Sequence, residues 1–290
     1  MTRRSAVLWG ALIALALAAP AAHARSDAAT LERGRKLVEG IVACGNCHVQ
    51  RGPQGQPLFD KGLSGGFVII DAPEMRVVVP NITPDAATGI GRWTDAQLRK
   101  AIREGVRPDG SIIGPPMPIE DYRHMSDADV DAIVAYLRAQ PAVSAAQPKS
   151  VYRIPLPPNY GPPLGKVSAP PMSNKRRYGE YLVRIGHCME CHSPRTPKGE
   201  LVRAKLGAGG AVLEGPWGKS VARNLTPHAS GLKGWTDAEI ARAIRTGVRR
   251  DGTPLKPPMG FDFYKNIDDA EMAALIAYLR SLKPHPFGGG

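Results

Sequence analysis

All four cysteines of this 290-residue chain fall in two copies of one pentapeptide, Cys44-Gly45-Asn46-Cys47-His48 and Cys188-Met189-Glu190-Cys191-His192. C-x-x-C-H is the attachment signal of c-type haem. Two thiols three residues apart can each bond a vinyl carbon of one porphyrin. The histidine that follows is then held beneath the iron as its proximal ligand. Cys44, Cys47, Cys188 and Cys191 are therefore expected to carry two covalently bound haem c groups, with His48 and His192 as iron ligands.

The motifs are part of a longer internal repeat, which outranks other signals of organisation. Gly34, Leu37 and Val38 precede the first motif as Gly179, Leu182 and Val183 precede the second. Gly65-Gly66 is answered by Gly209-Gly210, and Asn81-Ile82-Thr83-Pro84 by Asn224-Leu225-Thr226-Pro227. Gly91-Arg92-Trp93-Thr94-Asp95-Ala96 returns as Lys233-Gly234-Trp235-Thr236-Asp237-Ala238, and Pro115-Pro116-Met117 as Pro257-Pro258-Met259. Ala135-Tyr136-Leu137-Arg138 closes the first copy and Ala277-Tyr278-Leu279-Arg280 the second. The chain is a domain duplication, with units expected over 25–141 and 174–290.

Residues 1–24 read as a signal peptide. Arg3 and Arg4 give a positive start, Ala6 to Ala19 is apolar, and Ala22-His23-Ala24 fits a small-x-small cleavage site. The expected location is the periplasm. Residues 142–173 form a Pro-rich linker; nine prolines between Pro141 and Ser173 exclude helix and favour extended, semi-rigid chain lying across both domains.

Each unit reads as helical with long irregular connections, so the fold class is expected to be all-α. Thr94 with Gln97, and Thr236 with Glu239, form capping boxes for helices that end at Gly105 and Gly247. The last helices start at Ser126 and Asp268. They carry the apolar stripes Val130, Ile133, Val134, Leu137 and Met272, Leu275, Ile276, Leu279. Strand signals are few, though Val68-Ile69-Ile70 could pair with Val77-Val78-Val79 as a short hairpin.

The repeat selects the sixth iron ligand. Met75, Met117, His124 and Met125 follow the first motif, but only Met117 has a methionine, Met259, at the matching place. A single methionine is more often core filler than a ligand. Two methionines, each after Pro-Pro and each about 70 residues past its motif, are not accounted for that way. A soft thioether favours ferrous iron and raises its reduction potential. With both axial positions filled, the iron offers no site to dioxygen, peroxide or substrate, which points to electron transfer.

Composition narrows the partners. The formal charge of +12 includes Arg3 and Arg4, so the remainder stays basic, which suits docking on an acidic redox protein. The basic residues are scattered and no nucleic-acid motif is present, so nucleic acid is not expected. A zinc site would place its two C-x-x-C pairs roughly 15–20 residues apart, and a disulfide has no need of the histidine or the matched methionine. A dihaem peroxidase-like enzyme, with one labile axial ligand, is the alternative. Near-identical units argue against one specialised catalytic haem, and no cysteine is spare to serve as an axial ligand.

The haem motifs, the N-[IL]-T-P turn, the W-T-D-A helix start, P-P-M and the A-Y-L-R helix resemble class I c-type cytochromes. More narrowly, they resemble the multihaem cytochrome subunits that accept electrons from periplasmic alcohol, aldehyde and sugar dehydrogenases. The resemblance covers Leu31 to Pro284 and implies two tandem cytochrome c domains. It also implies a dehydrogenase as electron donor, a cytochrome or oxidase as acceptor, and membrane association at most peripheral or through a partner subunit. By the same resemblance Asn81, Thr83, Trp93, Asn224, Thr226 and Trp235 would surround the haem propionates and haem edge.

Overall fold

A computed structural model describes residues 27–288 except 54, 198 and 216. The expected signal peptide lies outside the described residues. In the first half, α1 (Ala28–Lys36) opens at Asp27, whose carboxylate accepts from Thr30 N at 2.6 Å. Its continuation, Leu37–Ile41, winds into a wider turn and buries Leu37, Val38 and Ile41. There follow α2 (Cys44–His48), strands β1 (Val68–Ala72) and β2 (Met75–Val78), α3 (Asp95–Glu104), α4 (Ile119–Tyr122) and α5 (Asp127–Ala139). After β3 (Val151–Tyr152), the second half repeats the order: α6 (Lys175–Ile185), α7 (Cys188–His192), β4 (Val212–Gly215), β5 (Gly218–Val221), α8 (Asp237–Thr246), α9 (Phe261–Tyr264) and α10 (Asp269–Ser281).

The helix signals act as their chemistry requires. Both capping boxes form, and Gly105 and Gly247 end α3 and α8 in the left-handed region, at φ 67° and 68°. Ser126 and Asp268 cap α5 and α10 by accepting from the amides of Asp129 and Glu271. The helices cross where the chain has no side chain to obstruct them. A Cβ on Gly34 would stand 2.1 Å from the carbonyl oxygen of Ala132 in α5, and one on Gly179 would stand 1.8 Å from that of Ala274 in α10.

The all-α expectation is corrected. Among the described residues, helix accounts for 37% and strand for 10%, in two small sheets. β1 and β2 form an antiparallel hairpin, with Val68 opposite Val78 and Ile70 opposite Val77. β4 and β5 form its counterpart, with Val212 opposite Val221. The β-branched runs are too short for a helix and pack well on a pleated surface. Linker residues add the third strand of the first sheet, pairing Tyr152 with Met75 and Val151 with Arg76.

The segment after α5 is bonded closely to the first half. Val143 O accepts from Asn81, Ala145 N donates to Thr88 Oγ1, Gln147 donates to Ser64 O, and Tyr160 OH donates to Ile113 O.

The apolar stripes meet in one core running through both halves. Val130, Ile133, Val134 and Leu137 of α5 join Leu182 and Ile185 of α6 and Met272, Leu275, Ile276 and Leu279 of α10. Each such side chain contributes about 1.5–3 kcal/mol on full burial. At the seam a single cation answers a buried carboxylate from each half. Arg33 donates to Asp129 at 2.7 Å and to Glu271 at 2.5 Å, while Tyr181 OH donates to Asp129 and Tyr178 OH to Glu271. Among the described residues, no helix is long and apolar enough to cross a membrane.

Candidate functional site

Both C-x-x-C-H motifs are single helical turns, each entered through a left-handed residue, Ala43 (φ 50°) and His187 (φ 43°). The turn places both cysteines and the histidine of a motif on one short arc. All four cysteines are free and partly buried. Burial in apolar surroundings pushes the Cys44 and Cys188 thiols up to about 12, so both are neutral. Tyr122 and Tyr264 occupy matching positions and pack close to the motifs. Burial raises both phenols strongly, and the neighbouring cysteines raise them further: Cys44 and Cys47 for Tyr122, Cys188, Cys191 and Cys47 for Tyr264. Tyr122 also packs edge-on against the His187 ring of the second half, with centroids 6.3 Å apart.

Each histidine has one ring nitrogen committed. His48 Nδ1 bonds the carbonyl of Pro80 at 3.0 Å, and His192 Nδ1 bonds that of Arg223 at 2.8 Å. Burial lowers both imidazole pKa values, against the raising effect of the carbonyl, so both rings are neutral. With Nδ1–H donated to a carbonyl, Nε2 keeps its lone pair for a metal, the arrangement typical of ligating histidines. Pro80 and Arg223 immediately precede the repeated N-[IL]-T-P turn, and that turn fixes their carbonyls.

The six polar and aromatic residues of the resemblance occupy that same framework. Asn81 Oδ1 accepts from Thr83 N and Thr83 Oγ1 at 2.9 and 2.8 Å, and its Nδ2 donates to Thr88 Oγ1 and Val143 O. Asn224 repeats every bond, with Thr226, Ser230 and His285 O as partners. The carboxamides thus tie the turn to the strand of chain that follows each last helix. Trp93 and Trp235 are partly buried against the core. Their carbonyls accept from Arg138 and Arg280, and Arg250 lies over the Trp235 ring at 5.6 Å.

In the second half a cavity of about 520 Å³ is lined by Cys188, Cys191, His192, Trp235 and Met259, and by Ile41 and Asn46 from the first half. This volume suits a cofactor. Neutral thiols, an imidazole with Nε2 uncommitted and a thioether on one apolar cavity are a donor set that fits haem c. In the first half Cys44, Trp93 and Met117 pack against the core. The Pro-Pro bonds before Met117 and Met259 are both cis.

Several supporting residues carried little sequence signal. The histidine-orienting carbonyls of Pro80 and Arg223 belong to the backbone, which no side-chain pattern reports. Arg138 and Arg280 were visible in the A-Y-L-R repeat, and their task is to clamp the turn before α3 and α8. Arg138 donates to Ile90 O and Arg280 to Leu232 O, both at 3.1 Å.

The donor groups on the second-half cavity fit a protein of the haem-binding, electron-transfer class. The family model described as cytochrome c matches residues 31–141 and 177–283. The chain belongs to the cytochrome c family, whose covalent haem c serves electron transfer rather than substrate turnover.

Among its relatives is a component of the nicotinate dehydrogenase of Pseudomonas putida, 32% identical over 277 residues, covering 90% of this chain and 22% of that protein. The fructose dehydrogenase cytochrome subunit of Gluconobacter japonicus is 30% identical over 272 residues, covering 87% and 52%. A "Diheme cytochrome c-type" protein of Cereibacter sphaeroides is 30% identical over 250 residues, covering 82% and 81%. The chain thus spans about half or less of the two dehydrogenase components and most of the dihaem protein.

Proposed function

We propose that this is a periplasmic dihaem cytochrome c that passes electrons from a dehydrogenase to a respiratory acceptor, a cytochrome or an oxidase. In this reading residues 1–24 are removed on export, 25–141 and 174–290 each hold one haem, and 142–173 joins them. His48 and Met117 ligate one iron, His192 and Met259 the other. The observation that carries it is the cavity on which Cys188, Cys191, His192 and Met259 converge, in a chain whose first half repeats each of these residues. The relatives named as dehydrogenase components support the donor class.

Bound haem supplies a one-electron iron couple. The chain's residues do the rest. The carbonyls of Pro80 and Arg223 hold the imidazoles in the tautomer that presents Nε2. The thioethers of Met117 and Met259 would also hold the iron, leaving small ligands no site and favouring the reduced state. Ile41, Val183, Leu275 and Leu279 give the cavity an apolar lining.

Replacing either methionine tests the ligand assignment. Met117→Ala and Met259→Ala should each admit carbon monoxide to one ferrous haem and lower that haem's midpoint potential, leaving the other in place. A variant in which both haems keep their potential and refuse carbon monoxide would remove that methionine from the iron.

A further inference from the structure

The two variable residues of the first attachment motif face the second half. Asn46 Nδ2 donates at 3.0 Å to the carbonyl of Pro258, the residue immediately before Met259. Asn46 is itself anchored, because Arg51 donates to its backbone carbonyl at 2.5 Å. The packing around this bond is close on both sides. A Cβ on Gly45 would stand 2.5 Å from the Phe263 ring of α9, and one on Gly260 would stand 3.4 Å from the Asn46 carboxamide carbon. The turn that carries Cys44 and Cys47 is therefore seated on the segment flanking Met259, and Asn46 and Met259 line one cavity.

The second motif has a different arrangement. Glu190 stands where Asn46 stands in the first, and its carboxylate accepts from Arg195 of its own half at 2.7 Å.

We propose that Asn46 is a positioning residue for the second iron centre: from within the first attachment motif, its carboxamide fixes the Pro-Pro-Met loop that presents Met259. The proposal rests on Met259 as axial ligand.

The test uses the holoprotein and imidazole as a competing ligand for ferric haem, with the two haems assigned through Met117→Ala and Met259→Ala. Asn46→Asp keeps the side-chain volume but leaves an acceptor with no N–H to donate; Asn46→Ala removes the group. Both variants should retain two covalent haems per chain. The second haem should take imidazole roughly fivefold more tightly, the equilibrium equivalent of one neutral hydrogen bond, and its potential should fall. The imidazole affinity of the first haem should be unmoved in both.

Unchanged imidazole affinity at the second haem in Asn46→Asp, or a change confined to the first haem, would overturn the proposal. If Met259→Ala itself leaves the second haem untouched, the ligand assignment fails and the proposal with it. An open second haem in Met259→Ala beside an inert Asn46→Asp overturns the Asn46 role alone.

Discussion

The histidines are set by backbone carbonyls, those of Pro80 and Arg223. Asn81 and Asn224 each saturate a tight turn with four hydrogen bonds, and the carbonyl just before the turn holds a ring nitrogen. Asp121 is the residue in a less favourable position. It lies in α4, with its side chain 21% exposed and 4.0 Å from Arg184 across the seam. Burial, and then the charge of Glu190, push its carboxyl up to about 6, outweighing the pull of Arg184. A raised acid favours the fold in its protonated form. Its contribution is complete below the ordinary carboxylate range and is lost as pH rises through about 6. Asp121→Asn should therefore raise stability at pH 7.5 by about 2 kcal/mol and change it little at pH 4. Thermal unfolding at the two pH values reads the difference, and an equal effect at both would contradict the assignment.

At the scale of elements, each half is organised by one helix pair, α1 on α5 and α6 on α10, crossing at a matched glycine. The glycines were visible in the repeat as Gly34 and Gly179, but the reason for them was not. Periodicity marks a buried face without stating how near the neighbouring backbone comes. Gly179→Ala must push α6 away from Ala274 and should cost about 2–3 kcal/mol in denaturant unfolding. Gly165→Ala, with nothing within 4 Å of the added carbon, should be close to neutral. Equal costs at the two positions would show that the crossing is not the constraint. The helix termini were legible because caps are local: Thr94, Ser126, Thr236 and Asp268 bond amides three residues away. The third strand of the first sheet was not legible, since Tyr152 finds Met75 across the whole of α3, α4 and α5 and no local pattern reports that pairing.

For the whole molecule, duplication was read directly from the repeated motifs, and the matched capping boxes, glycine crossings and Asn-Thr turns show how faithfully the halves repeat. The seam between them was hidden. Arg33 has no basic counterpart in the second copy, where Tyr178 stands, so nothing in the repeat marks it as the joint partner of Asp129 and Glu271. Asn46 and Glu190 differ for the same reason, because each half meets the other with a different face. What the two copies keep in common is the histidine, the cysteine pair and the methionine, and the central claim concerns those. It is tested most directly by titrating the fully reduced, unmutated holoprotein with carbon monoxide while counting its covalent haems. Two haems per chain and no carbon monoxide uptake at either is the predicted result; a single haem, or uptake at either iron, would contradict the account.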